Sequence, residues 1–207
     1  MPKKLKKKTK ILAAGDVHGD TGLVKKLAKK AEKEDVDLVI LSGDLTFAEE
    51  SLDGLIGPFA KVKKKVLMMP GNHEGLATID FLAEKYSNTK NIHGYSIKLD
   101  NVGIFGAGLT DMGFHGVPDS EIFKALKKAH KPIADMKRKI MITHMHPLGS
   151  KSEFSGFKGS KSVAKAIKKF QPELHIHSHI HEAEGIEEKI GKTKVVNVGR
   201  KGKIFEV

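Results

Sequence analysis

Short apolar runs rich in β-branched residues alternate with longer amphipathic stretches through the first half of the chain, and this alternation constrains the fold most. The apolar runs have the length and composition of buried strands. Between them, Leu23, Leu27 and Ala31 form a helical stripe flanked by lysines. The pattern predicts strands and helices in turn, at Lys10 to Ala14, Gly22 to Glu34, Asp37 to Leu41, a mixed segment, Lys65 to Met69 and Gly75 to Tyr86.

From Asn91 onward the pattern changes, and strands predominate. Helices are predicted near Ser120 to Lys131 and Ser160 to Phe170. The connections Asp100-Asn101 and Gly191-Lys192 are of the kind found in hairpins, so they predict antiparallel pairing. The predicted strands are Ser96 to Leu99, Val102 to Phe105, Ile140 to Thr143, Leu174 to Ile176, Ala183 to Ile190, Thr193 to Val198 and Lys203 to Val207.

Length and composition limit the classes of protein that this chain could represent. At 207 residues and 39% hydrophobic content, it can bury one core, so we expect a single domain over 10–207 after a basic tail over 1–9. No apolar run approaches the roughly 20 residues that a membrane-spanning helix needs. The basic N-terminus is not followed by the apolar segment of a signal peptide. Because the chain has no cysteine, any metal must bind other side chains, and a cytoplasmic location is expected.

The formal charge of +12 arises from 37 Lys and Arg residues against 25 Asp and Glu residues. Most of the lysines are expected on solvated helix faces. A positive field also raises the local concentration of anions, so the expected partner is an anionic substrate. Aromatic residues make up only 6% and tryptophan is absent, which gives little support for stacking of single-stranded nucleic acid. Nucleic acid nevertheless stays open as a partner, and so does the oligomeric state.

Polar clusters follow five of the predicted strands directly. In open α/β sheets, ligands bind beyond the carboxyl ends of the strands, so the clusters should converge there. Each cluster alone could be a helix cap or a turn. Together they offer carboxylate, imidazole and amide groups, which suit a pair of divalent metals. Gly15, Gly43 and Gly71 precede candidate ligands, where a missing side chain allows close backbone approach. The clusters are Asp16-Val17-His18, Ser42-Gly43-Asp44, Gly71-Asn72-His73-Glu74, Thr143-His144-Met145-His146 and His177-Ser178-His179-Ile180-His181.

In chain order, the clusters contain D-x-H, G-D, G-N-H-E, H and S-H-x-H, at Asp16/His18, Gly43/Asp44, Gly71 to Glu74, His144 and His179/His181. This series resembles the signature of the calcineurin-like metallophosphoesterases and spans positions 16 to 181. One position departs from the family pattern, since Ser178 stands where the family usually has glycine. Serine is small and compatible with a turn, so the departure affects only fine geometry.

The resemblance implies a four-layer α/β/β/α sandwich of two mixed sheets with a dinuclear metal site at one edge. It implies that Asp44 bridges the metals, that a bridging hydroxide attacks phosphorus, and that His73 assists the leaving group. Mn²⁺ is the expected metal, with Fe, Zn, Co or Ni open. The implied ligands are Asp16, His18 and His181 for one metal and Asn72, His144 and His179 for the other, with Asp44 shared.

The remaining polar residues near the motifs have less defined roles. His146 and Arg200 are candidate substrate contacts, and solvent exposure is the simpler explanation for Arg200. Glu74 is expected to cap the helix that begins at Gly75, the alternative being that it orients its neighbours. No role is assigned to three further histidines, His115, His175 and His177.

The function expected from the resemblance is hydrolysis of a phosphoester, and of a phosphodiester before a monoester because the site is expected to be uncapped. One alternative is a metal-binding scaffold without activity. The presence of His73 and all seven implied ligands favours the enzyme. The other alternative is a nuclease or nucleic-acid-binding protein, whose binding should weaken steeply with salt.

Overall fold

The computed structural model of the protein describes residues 8–207. Most of the predicted basic tail, residues 1–7, therefore lies outside the described residues. The strands are β1 (Lys10–Ala14), β2 (Leu38–Leu41), β3 (Val66–Met68), β4 (Thr89–Asn91), β5 (Tyr95–Leu99), β6 (Val102–Ala107), β7 (Arg138–Thr143), β8 (Leu174–His177), β9 (Glu187–Ile190), β10 (Thr193–Asn197) and β11 (Lys203–Glu206). The α-helices are α1 (Thr21–Lys33), α2 (Gly57–Lys61), α3 (Leu76–Lys85), α4 (Asp119–His130) and α5 (Lys161–Phe170).

The strands form two mixed sheets. The first has the order β11-β1-β2-β3-β4, in which β1 to β4 are parallel and β11 is antiparallel to β1. The second has the order β5-β6-β7-β8-β10-β9, in which β6, β7, β8 and β10 are parallel and the two outer strands are antiparallel. The segments at the carboxyl ends of the parallel strands contain the polar clusters identified in the sequence.

Three apolar clusters define four layers. Ile40 of β2 and Ile142 of β7 belong to the cluster between the sheets, which is the central core. The outer face of the first sheet packs against α1, α2 and α3, with Phe59 fully buried. The outer face of the second sheet packs against α4 and α5, with Phe105 fully buried. The expected α/β/β/α sandwich of two mixed sheets is confirmed.

Helix α1 shows how local sequence directs these layers. The Asp20 side chain accepts a hydrogen bond from the backbone N–H of Leu23 at 2.8 Å, which satisfies one free donor at the helix start. Val24, Leu27 and Ala31 lie on the buried face, and lysines occupy the exposed face. The helix therefore lies flat against the first sheet and places its N-terminus beside the loop that follows β1.

The periodicity located most elements to within one or two residues, and both predicted antiparallel hairpins, β5/β6 and β9/β10, are confirmed. The predicted strand Ala183 to Ile190 was wrong at its start. Residues His181–Ala183 form a 3₁₀ helix, and Gly185 has a φ of 84°, a left-handed conformation that interrupts the extended backbone. The short α2 lies in the mixed segment, which the alternation predicted as helical without bounds, and β4 was not predicted.

The chain described by the structure contains no helix long and apolar enough to cross a membrane. At the N-terminal end of the described residues, Thr9 and Val207 exchange two backbone hydrogen bonds, of 3.1 and 2.9 Å. These bonds extend the pairing of β1 with β11, so residue 9, which the sequence placed in the tail, already adjoins the first sheet.

Candidate metal centre

The structure brings all seven predicted metal ligands and His73 to one edge of the sandwich. Each candidate lies in the segment that directly follows a parallel strand, and both sheets contribute. Asp16 and His18 follow β1, Asp44 follows β2, Asn72 and His73 follow β3, His144 follows β7, and His179 and His181 follow β8. The site is therefore assembled from five separate segments of the chain.

One group of donor atoms comprises Asp16, His18 and His181. Their ligand atoms all lie within 4.8 Å of one another. The Nε2 atoms of His18 and His181 are 3.0 Å apart, and His181 Nε2 is 4.0 Å from Asp16 Oδ2. Two imidazole nitrogens that converge with a carboxylate on one point are a donor set suited to a transition metal.

A second group comprises Asp44, His144 and His179, whose ligand atoms also lie within 4.8 Å of one another. His144 Nε2 is 3.3 Å from Asp44 Oδ2 and 3.1 Å from Asn72 Oδ1. Asp44 Oδ2 also lies 3.8 Å from His18 Nε2, which belongs to the first group. One carboxylate oxygen is thus within 4 Å of an imidazole nitrogen in each of the two groups.

Asp44 is held in this position by the backbone of the Asn72-His73 turn. Its Oδ1 accepts hydrogen bonds from the N–H groups of Asn72 at 2.8 Å and His73 at 3.0 Å, which leaves Oδ2 facing the histidines. Burial alone would raise the pKa of Asp44, but the adjacent His144 and these hydrogen bonds hold that pKa well below its usual range. The carboxylate is therefore ionised and ready to bind a cation.

The histidines are also prepared for a cation. His144 Nδ1 donates to the carbonyl of Ser42 at 2.8 Å, so its Nε2 faces the site. Burial would lower the pKa of His144, but the carboxylates of Asp44 and Asp16 raise it to about 9 in the metal-free protein, so a metal ion would have to displace a proton from this ring. Burial lowers the pKa of His18 to about 4 and that of His179 to about 3, so both are neutral and offer a lone pair.

The backbone at the strand ends is strained where the candidate ligands are placed. Asp16, His18, Asp44 and His179 have φ values of 54°, 50°, 51° and 72°, in the left-handed region that non-glycine residues seldom adopt. Such strain clusters at functional sites, where the surrounding structure imposes it. These four are among eleven non-glycine residues with positive φ in the described chain, so the conformation agrees with their placement in tight turns and is not specific to the site.

Close backbone approach at the three glycines is confirmed. A Cβ at Gly71 would overlap Asp44 Oδ1, and a Cβ at Gly43 would lie 2.5 Å from His144 Nδ1. At Gly15 it would lie 2.5 Å from Ser178 Oγ. Only glycine fits in these places without moving a candidate ligand or its support.

Glu74 does not cap helix α3, so that expectation was wrong. Gly75 occupies the N-cap position of α3, without a side-chain cap. The fully buried carboxylate of Glu74 instead accepts from the backbone N–H groups of Leu45, Thr46 and Gly71, at 3.2, 3.1 and 2.9 Å, and from the Thr46 hydroxyl at 3.1 Å. Glu74 ties the loop after β2 to the loop after β3, because its four donors come from both.

His73 lies at the open side of the two groups. Its ring centroid is 4.7 Å from that of His18, and a ring nitrogen lies within 4.8 Å of ligand atoms of His18 and Asp44. His73 lines a cavity of about 240 Å³ together with most of the donor residues. It is thus close to the metal-binding groups and accessible to a substrate.

The other predicted substrate contacts lie further from the donor atoms. His146 is buried, its Nε2 donates to the Phe157 carbonyl at 3.3 Å, and its ring stacks 6.4 Å from that of His179. Arg200 forms an ion pair of 3.0 Å with Asp20. Contact of either residue with substrate stays a prediction.

The three histidines without an assigned role are also placed. His115 Nε2 is 3.7 Å from Glu49 Oε2, at the edge of the site. His175 and His177 are buried side by side on β8, and His175 Nε2 is 2.7 Å from the Thr143 hydroxyl. None of these three is in a donor group.

Two residues at the site were not identified from the sequence. Phe47 lies against His73, with ring centroids 5.1 Å apart and planes 30° apart, and Phe157 lines the same cavity as His73. Ser178, which departs from the family pattern, donates to the Ser42 carbonyl at 3.0 Å and lies 3.2 Å from His144 Nδ1.

The loops at this edge carry more acidic than basic side chains, whereas the lysines of α1, α4 and α5 lie on the outer layers. Apart from the candidate ligands and buried Glu74, the acidic residues in the loops are Asp20, Glu49, Glu50, Asp53, Asp111, Glu153, Glu182 and Glu184. The basic residues in the same loops are Lys151, Lys158, Arg200 and Lys201. The edge is therefore not the positively charged groove that a long nucleic acid would require.

Comparison with known proteins agrees with this geometry. The profile of the calcineurin-like phosphoesterase family matches residues 9–183. Among curated proteins, none matches the sequence significantly. The family match includes all seven candidate ligands and His73.

Several solved structures share the fold. One is a protein of Thermus thermophilus, at 20% identity and a TM-score of 0.75 over 96% of this chain and 99% of that chain. A second, described as a novel archaeal phosphodiesterase, has 19% identity and a TM-score of 0.56 over 92% and 84%. A third is a dimetal phosphatase from Danio rerio, at 12% identity and a TM-score of 0.64 over 91% and 86%. At these identities the likeness establishes the fold alone.

Proposed function

Because the chain belongs to the calcineurin-like phosphoesterase family, we propose that it is a hydrolase of phosphodiesters that depends on two divalent metal ions. The observation that carries this proposal is the position of Asp44. One of its oxygens lies within 4 Å of an imidazole nitrogen of each donor group, and the other is fixed by two backbone N–H groups.

The donor residues fit a pair of metals. The first would be held by Asp16, His18 and His181, and the second by Asn72, His144 and His179, with Asp44 shared. These donors are carboxylate, imidazole and amide groups, which suit Mn²⁺, our choice for a first test, and also Fe, Zn, Co or Ni. When bound, such a pair supplies a water of lowered pKa and neutralises charge on the phosphoryl oxygens.

The residues of the chain orient the reaction. Asp44 and His144 are locked by hydrogen bonds to backbone groups, so they need not reorganise when a substrate arrives. His73 stands at the open side of the donor groups, where it would donate a proton to the oxygen that leaves phosphorus. The accessible side of His73 is thus the side on which the leaving group would lie.

The choice of a diester over a monoester rests on the charge of the edge. A phosphomonoester carries up to two negative charges near neutral pH, whereas a phosphodiester carries one. Outside the donor groups, acidic side chains outnumber basic ones around the site, so the second charge of a monoester meets a repulsion that offsets part of its attraction to the metals. Of the relatives in fold, one is described as a phosphodiesterase and another as a dimetal phosphatase.

The test compares metal-stripped protein resupplied with Mn²⁺ on bis(p-nitrophenyl) phosphate and on p-nitrophenyl phosphate. Hydrolysis of the diester should need metal and exceed that of the monoester. We expect Asp44→Asn to be inactive and to bind less metal by calorimetry, and His73→Ala to be slower by roughly 10²–10⁴-fold with metal binding retained. The matched control is Asp53→Asn, an exposed aspartate in the loop that also contains Asp44.

Two results would contradict the proposal. Equal rates for Asp44→Asn and Asp53→Asn would exclude Asp44 as the bridging ligand. Metal binding at Asp44 without hydrolysis of either ester would favour the alternative, a metal-binding scaffold without activity. If the protein binds a nucleic acid, and this binding weakens with rising salt steeply enough to indicate several phosphate contacts, a nuclease is favoured instead.

A further inference from the structure

The exposed phenylalanines of the described residues are concentrated at the edge that carries the metal centre. Phe47, Phe114, Phe154 and Phe157 lie in segments that follow parallel strands, with Phe154 in the 3₁₀ helix Lys151–Ser155, and they are 52, 93, 63 and 54% exposed. Phe81 on α3 is the fifth exposed phenylalanine. Isolated exposed apolar residues are ordinary, but such a concentration around one site indicates a contact surface for a ligand.

Phe47 is placed to extend the site outward. Its ring lies 5.1 Å from the ring of His73 and 6.2 Å from that of His18, and both histidines line the cavity. Half of the Phe47 side chain remains exposed beside them. A planar group attached to a phosphate bound at the donor groups would therefore meet the Phe47 ring.

Phe157 lines the cavity directly and is held by its backbone. Its carbonyl accepts a hydrogen bond from the buried His146, at 3.3 Å, whereas its ring is more than half exposed. The ring thus stands at the cavity mouth, on a loop that a buried residue anchors.

The cavity is too small to hold more than part of a substrate. At about 240 Å³, it is smaller than the roughly 300–1,000 Å³ of ordinary small-molecule sites. It can hold the phosphoryl group and its immediate neighbours, so any larger group must lie at the mouth, among the phenylalanines. The acidic side chains there disfavour further negative charge on that group.

We propose that the substrate is a small nucleoside phosphodiester, bearing a single negative charge, whose base stacks on Phe47 at the cavity mouth. This inference rests on the proposed function, because the metal centre must hold the phosphodiester. Aromatic rings stack on bases of any sequence, since every base has a flat π-face. The exposed rings stand on different loops. Separate rings suit a single planar group, whereas an acyl chain would need a continuous apolar groove.

The test measures the contribution of the base. The 2′,3′- and 3′,5′-cyclic phosphates of adenosine are compared with the same cyclic phosphates of methyl riboside, which lack the base. For the better isomer, the wild-type protein with Mn²⁺ should show a kcat/KM about 5- to 150-fold higher with the base than without it, as expected for one stacked base. In Phe47→Ala this ratio should fall towards 1, and Phe47→Tyr should keep most of it.

Phe81→Ala is the matched control, because Phe81 is 49% exposed but lies on α3 beneath Lys85, away from the cavity. Its ratio should equal that of the wild type. A wild-type ratio near 1, or a ratio that Phe47→Ala leaves unchanged, overturns the inference. Faster hydrolysis of a glycerophospholipid diester than of either nucleotide also overturns it.

The two proposals fail in different ways. If the protein hydrolyses bis(p-nitrophenyl) phosphate but shows no preference for the base, only the inference on the substrate is wrong. If it hydrolyses no diester, the proposed function is wrong and no diester is the substrate, and calorimetry with Mn²⁺ and adenosine 3′,5′-cyclic phosphorothioate then tests the base site at Phe47 by itself. Binding that Phe47→Ala weakens by the same 5- to 150-fold supports a base site, and equal binding by both proteins refutes it.

Discussion

Replacement of Glu74 by alanine should destabilise the protein far more than its place in a loop suggests. The carboxylate accepts hydrogen bonds from three backbone N–H groups and one hydroxyl, and it is fully buried. A buried donor left without a partner costs about 1–3 kcal/mol. Water can enter the space that the side chain leaves, so the lower part of that range applies to each of the three N–H groups. The expected loss is about 3–5 kcal/mol of the free energy of unfolding.

Urea denaturation followed by far-UV circular dichroism measures this loss. Metal-free protein in EDTA is required, because bound metal would add its own stabilisation to the folded state. The slope of the free energy against urea should stay the same if only stability changes. Since whole domains are stable by about 5–15 kcal/mol, the predicted loss is a large fraction of the total.

Two further variants make the Glu74 prediction specific. Glu50→Ala removes an exposed carboxylate from the same region and should change stability by no more than about 0.5 kcal/mol. Glu74→Gln keeps one acceptor oxygen but turns an amide NH₂ towards backbone donors, so it should lose less than Glu74→Ala and more than Glu50→Ala. A cost below about 1 kcal/mol for Glu74→Ala would show that the two loops are held together by other contacts.

Three other predictions follow from the same structure. Ser178→Ala should weaken metal binding by about tenfold in calorimetry, because the serine hydroxyl braces the carbonyl that orients His144; unchanged affinity would refute this role. Gly71→Ala should abolish metal binding, since its Cβ would overlap Asp44. At Gly57 the atom nearest to an added Cβ would be 3.7 Å away, so Gly57→Ala should bind metal normally. Burial lowers the pKa of His177 to about 3, so between pH 6.5 and 3 the unfolded chain binds a proton there that the folded protein does not. Metal-free protein should therefore lose stability on acidification from about pH 6.5, and His177→Asn should reduce that slope by up to about 1.4 kcal/mol per pH unit in urea denaturation.

Much of the fold could be predicted because its signals are local. The period of apolar residues located β1, β2 and β3 and the helices α1 and α3, and polar residues at the strand ends marked the edge where ligands converge. The predicted strand from Ala183 failed because Gly185 adopts a left-handed conformation, which composition does not reveal. The short β4 has no apolar pattern of its own, since it is an edge strand whose place depends on pairing with β3.

The parts of the site that could not be predicted depend on contacts between distant residues. Glu74 before a helix looks like a cap, and only the fold shows that two of its donors, Leu45 and Thr46, lie 29 and 28 positions earlier. The ion pair of Arg200 with Asp20 joins residues 180 positions apart. Phe47 carries no local signal either, because an exposed aromatic residue gains meaning only from the ring that it contacts.

The strained backbone of four candidate ligands is supported by the buried strands that precede them. Left-handed conformations at four non-glycine residues cost about 1–3 kcal/mol each, a total comparable to the net stability of a domain. Asp16 and His18 follow β1, Asp44 follows β2 and His179 follows β8, and these strands are buried almost throughout. Each strained turn is thus fixed at one end by a strand that cannot shift without exposing core. Burial of these strands in the core therefore contributes to offsetting the strain at the four candidate ligands, although residues in other turns, such as Lys63 and Gln171, adopt the same conformation.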